Sequence, residues 1–468
     1  MSNGLCALVL AAGQGTRFKS AWNKVLHPIL GKPMIRLVLD SLLDLKPDRV
    51  VVVVGHQKDE VAQAVAHPRV TCVVQEKQLG TAHAVAAARR ILAGRKNDDV
   101  LIINSDLPLF TAGTIRPLLR LHRRNRNAAT VLSAEPENPA GFGRLVREAS
   151  GRLRVVEEKD ASPAEKKIRE VNTGVYVFNV RELLAALPAV SNKNLKGEFY
   201  LTDIIALLSG RGKKVAVFKT EHSAEVVGVN TRYELAQAAE ALRLRKIKSL
   251  TEAGVTILDP GSTWIDLEAV IGPDTVVYPA VTIEGRTRIG RRCVIHPSAH
   301  MVNADIGHDV QVLTASVVKD SRLQSGVSVG PFCHIRGGTV VRPGANVGNF
   351  VEMKNSVFGE RSKAMHLSYL GDSEVGRAVN VGAGTITCNY DGVKKNRTTI
   401  EDGVFIGSGT ELIAPVRIGR GAYIAAGSTI TKDVPAEALA VARARQIEKP
   451  GWAKKRKERN TRLQGRKP

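Results

Sequence analysis

The stretch "IGPDTVVYPAVTIEGRTRIGRRCVI", residues 271–295, carries an aliphatic side chain at every sixth position. The same spacing returns at 329–347 and at 400–430. A repeat of this period is typical of a parallel β-helix, because each aliphatic side chain points inward from one flat face and the stacked coils share one core. We therefore predict a parallel β-helix over the second half of the chain. The positions of the repeat are Ile271, Val277, Ile283, Ile289, Ile295, Met301, Val329, Ile335, Val341, Val347, Ile400, Ile406, Leu412, Ile418, Ile424 and Ile430.

The repeat is interrupted between Val381 and Ile400 by "GAGTITCNYDGVKKNRTT". A coil that must stack on its neighbours has no structural use for a polar excursion of this kind. Because binding and catalytic residues are often carried by loops on a rigid scaffold, the interruption predicts a functional site.

The pattern is different up to about residue 229, where continuous apolar runs alternate with helical patterns. "VVVVVG" (50–55) and "DVLIINSD" (99–106) are two such runs, and "MIRLVLDSLLDL" (34–45) and "TAHAVAAARRIL" (81–92) are helical patterns. Strands that are apolar throughout and separated by helices indicate a mostly parallel sheet covered on both faces. Ligands of such sheets bind at the carboxyl ends of the strands.

The composition limits the class of protein. A chain of 468 residues with 43% hydrophobic content is expected to form two or three domains. Its five cysteines are scattered and include no CxxC pair, which favours free thiols in a reducing cytoplasm and argues against a disulfide framework or a zinc site. We expect no membrane span, since no apolar run of about 18 residues occurs, and we find no signal-peptide pattern at the N-terminus.

The net charge of +23 is partly local, since residues 443–468 contain eleven Lys or Arg and two Glu. Two interpretations of this tail remain open: a solvated, mobile segment, or a segment that binds a phosphate-bearing ligand or nucleic acid. Aromatic residues make up only 4% of the chain and do not alternate with the basic residues as stacking platforms would. We therefore predict no specific nucleic-acid partner.

The first apolar run ends in "VLAAGQGTRF", residues 9–18, where glycines leave backbone N–H groups exposed to hold an anion. The stretch is neither a Walker loop, since no Gly-Lys-Ser/Thr follows, nor a dinucleotide fingerprint, since the third glycine is missing. Instead, "LAAGQGTR" followed by Lys24 resembles the signature of sugar-phosphate nucleotidylyltransferases. Further motifs of that signature follow in order: "QLGTAHA" (78–84), "NSDLPL" (104–109), "GFGRLV" (141–146), "VVEEKDA" (155–161), "VNTGVYVF" (171–178), "GEFYLTDII" (197–205) and "GVNTR" (228–232).

With the β-helix behind them, these motifs resemble the family of bacterial bifunctional N-acetylglucosamine-1-phosphate uridylyltransferases and glucosamine-1-phosphate N-acetyltransferases, over nearly all of residues 5–455. The resemblance implies an α/β fold: a Rossmann-like nucleotidylyltransferase domain with a mostly parallel sheet, then a left-handed parallel β-helix of hexapeptide repeats. It implies a cytoplasmic homotrimer that makes UDP-N-acetylglucosamine for envelope polymers. The implied domains are a uridylyltransferase domain (1–230), a linker helix (231–252), an acetyltransferase β-helix (253–442) and a basic tail (443–468).

In the first domain, the resemblance implies a site for UTP and N-acetylglucosamine 1-phosphate, with Mg²⁺ as cofactor. Arg17 and Lys24 would offset the charge that develops as a sugar phosphate attacks the α-phosphorus of UTP. Mg²⁺ prefers hard oxygen ligands, and the resemblance assigns Asp106 and Asn230 to it. The implied nucleotide-binding positions are Leu10, Ala12, Gly13, Gln75, Gly80 and Thr81, and the implied sugar-binding positions are Gly143, Glu157, Asn172 and Tyr200.

In the β-helix, the resemblance implies acetyl transfer from acetyl-CoA to the amine of glucosamine 1-phosphate. The amine must be neutral to react, so a base such as His366 is useful. No cysteine lies in a nucleophile context, which favours direct transfer over an acyl-enzyme. The implied sugar-phosphate positions are Arg336, Lys354, Tyr369 and Asn380, and the implied acetyl-CoA positions are Ala383, Asn389, Tyr390, Ser408, Ala426 and Arg443.

The chain departs from the family pattern beside Lys24. Relatives usually carry proline before this lysine, whereas this chain has Asn23, so we expect a freer, shifted loop with activity retained. Phe18 stands where methionine is common. Glu157 and Glu158 are adjacent, and either could contact the sugar, although the family alignment favours Glu157.

Simpler interpretations stay open at single residues, since Asp106 alone could cap a turn and Lys24 alone could be a surface lysine. Another nucleotidylyltransferase with a β-helix, such as a GDP-mannose or ADP-glucose synthase, would share the glycine loop but lack the residues around His366 and Asn389. A regulatory nucleotide-exchange subunit would have lost the metal and phosphate residues, which are present here.

Overall fold

The computed structural model describes residues 4–95 and 97–464 of the chain. These residues divide into two compact units, with the boundary between Lys246 and Ile247. The α-helices are α1 (Met34–Leu43), α2 (Lys58–Ala64), α3 (Thr81–Ala87), α4 (Arg89–Ala93), α5 (Ala112–Asn125), α6 (Pro163–Lys166), α7 (Val180–Ala186), α8 (Asp203–Gly210), α9 (Arg232–Glu252) and α10 (Trp452–Gln464).

The first unit is built on a sheet with the strand order β11-β7-β10-β6-β1-β4-β5. Its strands are β1 (Leu5–Ala11), β2 (Pro28–Ile29), β3 (Lys32–Pro33), β4 (Arg49–Val54), β5 (Val70–Val74), β6 (Asp99–Asn104), β7 (Ala129–Ala134), β8 (Arg144–Arg147), β9 (Leu153–Val156), β10 (Val171–Asn179) and β11 (Val215–Lys219). β10 is antiparallel to both neighbours, and the other pairs along this order are parallel. The prediction of a mostly parallel sheet is confirmed.

The central strands are buried on both faces. In β1 and β4, Leu8 and Val51 pack into one core, whereas Val9 and Val52 pack into the core on the opposite face. Helices α7 and α8 contribute to the first core, and α1 and α5 contribute to the second. Burial on both faces explains why these strands are continuous apolar runs rather than alternating ones.

One predicted helix is divided in two. The pattern over 81–92 predicts a single helix, but α3 ends before Ala88 and α4 begins after it. The Ala88 N–H donates to the carbonyl of Val85, three residues back, so the helix tightens there instead of continuing.

The second unit is a parallel β-helix, as predicted, and its strands form three faces. The strands of its first face are Thr256–Ile257, Val276–Val277, Val294–Ile295, Gln311–Val312, Ser328–Val329, Asn380–Val381, Phe405–Ile406, Tyr423–Ile424 and Leu439–Ala440. Those of the second face are Trp264–Ile265, Thr282–Glu284, His300–Val302, Val317–Lys319, His334–Arg336, Ile386–Cys388, Glu411–Ile413 and Thr429–Ile430, and Asn346–Lys354 and Lys363–Gly371 run along both of these faces. Those of the third face are Val270–Ile271, Arg288–Ile289, Asp305–Ile306, Arg322–Leu323, Val340–Val341, Val357–Phe358, Ser373–Val375, Thr398–Ile400 and Val416–Ile418.

The β-helix is more continuous than the six-residue repeat predicts. Ile271 pairs with Ile289 eighteen residues later, but Ile289 pairs with Ile306, only seventeen residues later. Coils of seventeen residues contain one step of five, which breaks the strict period between Met301 and Val329. The interior there is nevertheless filled, for example by fully buried Val318.

The interruption of the repeat is shorter than predicted. Thr387 is fully buried and pairs with Leu412, so it holds an ordinary inward position. The prediction that the coil is interrupted directly after Val381 is therefore wrong, because the small residues of 382–388 still form a turn and a strand. The excursion is confined to 389–397, between the strands Ile386–Cys388 and Thr398–Ile400.

The basic tail contains a helix that the sequence did not predict. Trp452 and the residues of α10 up to Arg462 are exposed, and the Arg456 guanidinium lies 5.1 Å from the centre of the Trp452 ring.

Candidate active sites

Four residues of the predicted first site come together in the first unit. Arg17 Nη2 donates to Asn230 Oδ1 at 2.9 Å. Lys24 Nζ donates to Asp106 Oδ2 at 2.7 Å and to the same Asn230 oxygen at 3.2 Å. The side chains of Lys24 and Asp106 are only 12% and 19% exposed. Two cations thus converge on one carboxylate and one amide oxygen, leaving positive charge available for an anion.

The glycine loop lies against this cluster. Gly15 has φ 61°, and a Cβ on it would lie 2.8 Å from the Cβ of Lys24, so only glycine allows this approach. Leu10 lies near the end of β1, where its carbonyl accepts from Ser105 N at 3.1 Å, and Ala12 follows the strand. Among the described residues, the N–H groups of Gly13, Gln14 and Gly15 donate to no acceptor. They are therefore free to hold a phosphate.

The predicted nucleotide positions after β5 form one fixed segment. Gln75 is buried, and its Nε2 lies 3.2 Å from the Gly80 carbonyl and 3.0 Å from His83 Nδ1. Thr81 Oγ1 accepts from Leu201 N at 2.9 Å. These bonds fix the amide of Gln75 and hold the start of α3 against the segment before α8.

Gly80 tolerates no side chain. Its φ is +114°, and a Cβ would lie 2.5 Å from the carbonyl oxygen of Phe199. We expect Gly80→Ala to lower the free energy of unfolding by about 1–3 kcal/mol, because the strained φ and the backbone clash act together. Denaturant unfolding measures this change. Gly141→Ala is the matched control, since Gly141 also has a positive φ, +86°, but nothing within 4 Å of a Cβ; equal losses in both variants would contradict the clash.

The predicted sugar positions line one region. Asn172 N donates to the Gly143 carbonyl at 2.8 Å, and Asn172 Nδ2 donates to Tyr176 Oη at 2.7 Å. Glu157 accepts from Thr202 Oγ1 at 3.3 Å, and burial raises the pKa of Glu157. Hydroxyl groups of a sugar could replace such contacts.

Tyr200 lies beside this region with an unsatisfied hydroxyl. Its Oη is buried and has no hydrogen-bond partner among the described residues. Burial, together with nearby carboxylates such as Asp160 and Glu157, raises the pKa of Tyr200 to about 12, so the phenol keeps its proton at neutral pH. A buried donor without an acceptor indicates a place for a ligand oxygen.

Glu157 and Glu158 have different surroundings. A side-chain oxygen of Glu158 lies 2.8 Å from Nη1 of the buried Arg144, so this carboxylate is held in an ion pair. Glu157 accepts from the hydroxyl of Thr202 and lies in no ion pair among the described residues, whereas Glu158 Oε2, despite its ion pair, accepts no hydrogen bond there.

The expectation of a freer loop at Asn23 is wrong. Asn23 is fully buried, and its backbone N–H donates to Gln57 Oε1 at 2.5 Å. Its Nδ2 donates to the His56 carbonyl at 2.8 Å, and its Oδ1 accepts from Val25 N at 3.2 Å. Hydrogen bonds thus replace the restriction that proline would impose.

The second site follows one edge of the β-helix, between its first and second faces. Main-chain bonds from Gly384 N to Leu367 O, Gly409 N to Ala383 O and Gly427 N to Ser408 O link successive coils at this edge. Arg443 Nη1 donates to the Ala426 carbonyl at 2.8 Å. The predicted residues on the edge are, in order of coils, His366, Ala383, Ser408, Ala426 and Arg443. They form a track of small side chains between an imidazole and a guanidinium.

Sequence reasoning missed the partner of His366. Asn349 pairs with His366 on the preceding coil, and its Oδ1 lies 2.9 Å from His366 Nδ1. With Nδ1–H donating to this oxygen, Nε2 is left as the acceptor. The only signal was the spacing of seventeen residues, which becomes informative once the register of the coils is known.

A cluster of cations lies on the second face. Arg336 Nε donates to Glu352 Oε1 at 2.8 Å, and Lys354 lies beside Arg336 on the neighbouring strand. Lys395, from the excursion 389–397, adjoins Lys354, and its ammonium lowers the pKa of Lys354. Sequence reasoning missed Lys395, whose place depends on how the excursion folds back. Adjacent cations in this arrangement can hold a phosphate.

Asn389 connects the excursion to this cluster. Its Nδ2 donates to Asp372 Oδ2 at 2.5 Å and lies 3.4 Å from Tyr369 Oη. Tyr390 is exposed, and its Oη donates to the Gly392 carbonyl at 2.7 Å within the excursion.

Asn380 is not brought to the other predicted sugar-phosphate residues. It belongs to a strand of the first face, whereas Arg336, Lys354 and Tyr369 belong to strands of the second face. Within one chain, therefore, the predicted set is divided between two faces.

Two further properties bear on ligands. In the part of the chain that the structure describes, no three His, Cys, Asp or Glu side chains form a group that could hold a metal ion. None of the helices over 4–95 and 97–464 combines the length and the apolar character needed to cross a bilayer.

Comparison with known families gives two matches. Residues 7–193 match the MobA-like NTP transferase domain, and residues 397–432 match the bacterial transferase hexapeptide family (six repeats). A solved structure titled as a putative glucose-1-phosphate thymidylyltransferase from Bacillus anthracis is 22% identical, covers 50% of this chain and 94% of its own, and has a TM-score of 0.41.

Curated relatives match nearly the whole chain. A protein of Pelobacter propionicus named "Bifunctional protein GlmU" is 48% identical over 96% of this chain and 98% of its own length. Proteins of the same name from Shouchella clausii and Thermotoga maritima are 46% and 48% identical, each over 97% of this chain and 99% of its own length.

Proposed function

We propose a function for this chain from one premise, that it belongs to the family of bifunctional GlmU proteins, to which it is 46–48% identical over nearly its whole length. It is an enzyme with two transferase activities. It transfers acetyl from acetyl-CoA to glucosamine 1-phosphate, and then uridylyl from UTP to N-acetylglucosamine 1-phosphate with release of pyrophosphate. We assign uridylyl transfer to residues 1–230 and acetyl transfer to the β-helix, 253–442, with 231–252 as a linker helix and 443–468 as a basic tail.

The convergence of Arg17 and Lys24 on Asp106 and Asn230 carries the first assignment. A phosphate oxygen of the sugar 1-phosphate attacks the α-phosphorus of UTP, and the bond to pyrophosphate breaks. Two anions meet in this step, and negative charge develops on the leaving group. The side chains of Arg17 and Lys24 offset this charge from fixed positions. The free backbone N–H groups of Gly13, Gln14 and Gly15 add to this effect.

The residues present also fit a divalent metal. The Lys24 ammonium lies within hydrogen-bond distance of both the Asp106 carboxylate and the Asn230 amide oxygen, so this pair of hard oxygens already surrounds a positive charge. Mg²⁺ needs only one or two protein ligands when substrate phosphates supply the others. When bound, it would neutralise and orient the phosphates of UTP. We assign Asp106 and Asn230 to Mg²⁺.

The remaining first-site residues select the substrates. Gln75 and the backbone at Gly80 and Thr81 face the base, where an amide can donate and accept. We assign Gly143, Glu157, Asn172 and Tyr200 to the sugar. The buried Tyr200 hydroxyl supplies a donor, and Glu157 an acceptor, for hydroxyl or acetamido groups.

The bond between His366 and Asn349 supports the second assignment. The amine of glucosamine 1-phosphate attacks the thioester carbon, and the N–C bond forms as the C–S bond breaks. His366 Nε2 takes the proton from the nitrogen, and the CoA thiolate leaves. Arg336, Lys354, Tyr369 and Asn380 would hold the sugar phosphate, and Lys395 adds a cation to that set. Asn389 and Tyr390 would border acetyl-CoA, and the edge from Ala383 to Arg443 would seat it.

Asn349 is a positioning residue in this mechanism, because it fixes which imidazole nitrogen acts as base. We expect Asn349→Ala to lower the kcat of acetyl transfer about tenfold, near the upper end for one neutral hydrogen bond. Asn349→Asp keeps an acceptor and is expected to stay within about threefold of the wild type. Release of CoA thiol measures both variants. A loss in Asn349→Asp as large as in Asn349→Ala would contradict the orienting role.

We propose that the chain acts as a homotrimer. Asn380 lies on a different face from the other sugar-phosphate residues, so neighbouring subunits could complete the site. The rings of Phe332 and Phe350 stack with their centres 5.5 Å apart, at the same edge as Asn349. They are 52% and 56% exposed and form an apolar surface that a second copy of the chain would cover. A closed ring of three suits such an interface. Sedimentation of the full chain measures the oligomeric state.

We place the enzyme in the cytoplasm, where UTP and acetyl-CoA are available, and we propose small-molecule substrates with no specific nucleic-acid partner. The proposed cellular role is to supply UDP-N-acetylglucosamine for bacterial envelope polymers.

The direct test supplies purified protein with Mg²⁺, glucosamine 1-phosphate, acetyl-CoA and UTP, and follows each product by mass spectrometry. Each co-substrate is withheld in turn. UDP-N-acetylglucosamine that forms only with both donors supports two linked activities. Acetylated sugar phosphate without UDP-sugar would contradict the first assignment, and the absence of both products would contradict the whole proposal.

A further inference from the structure

The segment before Lys24 is tied to the corner between β4 and α2. Asn23 N donates to Gln57 Oε1 at 2.5 Å, and Asn23 Nδ2 donates to the His56 carbonyl at 2.8 Å. In the opposite direction, Gln57 Nε2 donates to the Ala21 carbonyl at 3.1 Å. Both halves of the Gln57 amide are therefore used to hold one short stretch of chain.

The contact joins a backbone in an unusual conformation to a buried donor. Gln57 has φ 52°, in the left-handed region that residues with a Cβ rarely adopt. Asn23 is fully buried, so its N–H needs an acceptor inside the protein. Gln57 supplies that acceptor, and Asn23 keeps φ −57° and ψ 132°.

The contact between Gln57 and Asn23 positions the backbone from which the Lys24 side chain extends. Asn23 Oδ1 accepts from Val25 N at 3.2 Å and so starts the short helix Lys24–Leu26. At its other end, the Lys24 ammonium is bonded to Asp106 and Asn230. The Lys24 side chain therefore runs from a backbone held at Asn23 to two fixed oxygens, and a shift of that backbone changes where the ammonium lies relative to them.

We propose that Gln57 is a positioning residue for uridylyl transfer, which acts by clamping Ala21 and Asn23 so that Lys24 meets the phosphates of UTP. The inference rests on the proposed function of the first site. In the part of the chain that the structure describes, the side-chain hydrogen bonds of Gln57 go to Ala21 and Asn23, and we assign neither of these to a substrate. Its effect passes through the backbone of the segment that it holds.

The test compares three variants of the full chain. Gln57→Ala removes both bonds, and we expect kcat/KM for UTP to fall about tenfold or more. Gln57→Glu keeps an acceptor for Asn23 N–H but cannot donate to Ala21, so an intermediate loss is expected. Gln63→Ala is the matched control, since Gln63 is an exposed glutamine of α2, and it is expected to behave as the wild type.

Acetyl transfer by the same chain serves as the internal control. It is expected to stay within twofold of the wild type in all three variants, because its residues lie in the other unit. Equal falls of both activities in Gln57→Ala would indicate a folding defect and overturn the proposal. An unchanged kcat/KM for UTP would overturn it as well.

A second substitution in Gln57→Ala, Asn23→Pro, distinguishes clamping from other roles of Gln57 in uridylyl transfer. In Gln57→Ala, the buried N–H of Asn23 loses its acceptor, whereas proline has no N–H and favours a φ near the observed −57°. We expect Asn23→Pro to lower activity in the wild type, where its ring would meet the Gln57 side chain. In Gln57→Ala, Asn23→Pro is expected to be at least threefold more active than Asn23→Ala, since both lose the side-chain bonds to His56 and Val25. Equal activity of the two double variants would contradict clamping.

The position of Lys24 can also be followed without turnover. An amine-reactive reagent is added to wild type and Gln57→Ala, and modification of Lys24 is measured by peptide mass spectrometry. We expect Lys24 to react several-fold faster in Gln57→Ala, because it is no longer held against Asp106. Equal rates would overturn the inference, even if the wild type showed no uridylyl transfer and the proposed function had failed.

Discussion

Replacing His366 with asparagine is expected to lower the rate of acetyl transfer by about 10²–10⁴-fold, the contribution typical of a general base. Asparagine can still form hydrogen bonds at this edge but cannot take a proton from the attacking amine. Uridylyl transfer is expected to be unchanged when N-acetylglucosamine 1-phosphate is supplied. Release of CoA thiol measures the first activity, and release of pyrophosphate measures the second.

The size of this effect distinguishes a base from a binding residue. A general base acts in the chemical step, so kcat should fall while KM for acetyl-CoA changes little. His300→Asn is a matched control, since His300 lies on an earlier coil. Its Nε2 lies 2.7 Å from Glu284 Oε2. A loss of less than about fivefold in His366→Asn would contradict the assigned role.

The sequence predicted the β-helix well because its repeat has a direct physical cause. Most inward positions are filled by aliphatic side chains, so residues such as Ile283 and Ile406 recur with the period of the coil. Where a coil has seventeen residues, as between Met301 and Val318, the period breaks and only the three-dimensional register shows the continuity. Thr387 was missed because a polar residue occupied an inward position.

The sequence named candidate residues but not the partners that hold them. Motifs and family resemblance named Arg17, Lys24 and His366, to which we assign the chemistry. The partners depend on chain segments brought together by the fold, as with Asn349 on the coil before His366. Lys395 was missed for the same reason, since only the folded excursion brings it beside Lys354.

The segment at Asn23 shows why a local rule can fail. Proline and asparagine differ in their intrinsic freedom, and that difference alone predicts a looser loop. The prediction ignores tertiary hydrogen bonds, and Asn23 forms them with His56 and Gln57. The hydrogen bonds of the buried Asn23 restrict this segment as the ring of proline would.

The two activities on one chain make each variant its own control. The residues assigned to uridylyl transfer lie before the boundary at Lys246, and those assigned to acetyl transfer lie after it. A substitution that acts on the chemistry of one site should leave the other reaction intact. A substitution that unfolds its own unit does not necessarily leave the other reaction intact. Stability should therefore be measured beside activity.

Replacing Arg17 with alanine is expected to remove about 2–4 kcal/mol of transition-state stabilisation, a loss of roughly 30- to 1000-fold in uridylyl transfer. Arg17 Nη2 donates to Asn230 Oδ1, so its guanidinium lies next to the cluster that we assign to the phosphates. Arg17→Lys keeps the charge but cannot form a fork of two donors, and an intermediate loss is expected. Pyrophosphate release under saturating and limiting UTP gives kcat and KM separately.

The outcome for Arg17 depends on when its charge is needed. If the guanidinium meets charge that develops during the reaction, kcat falls with kcat/KM, whereas a residue that only binds UTP would raise KM alone. Arg120→Ala, at an exposed arginine of α5, controls for the general loss of one positive charge. A rise in KM with kcat unchanged would contradict transition-state stabilisation, because uniform binding of UTP lowers no barrier once substrate is saturating.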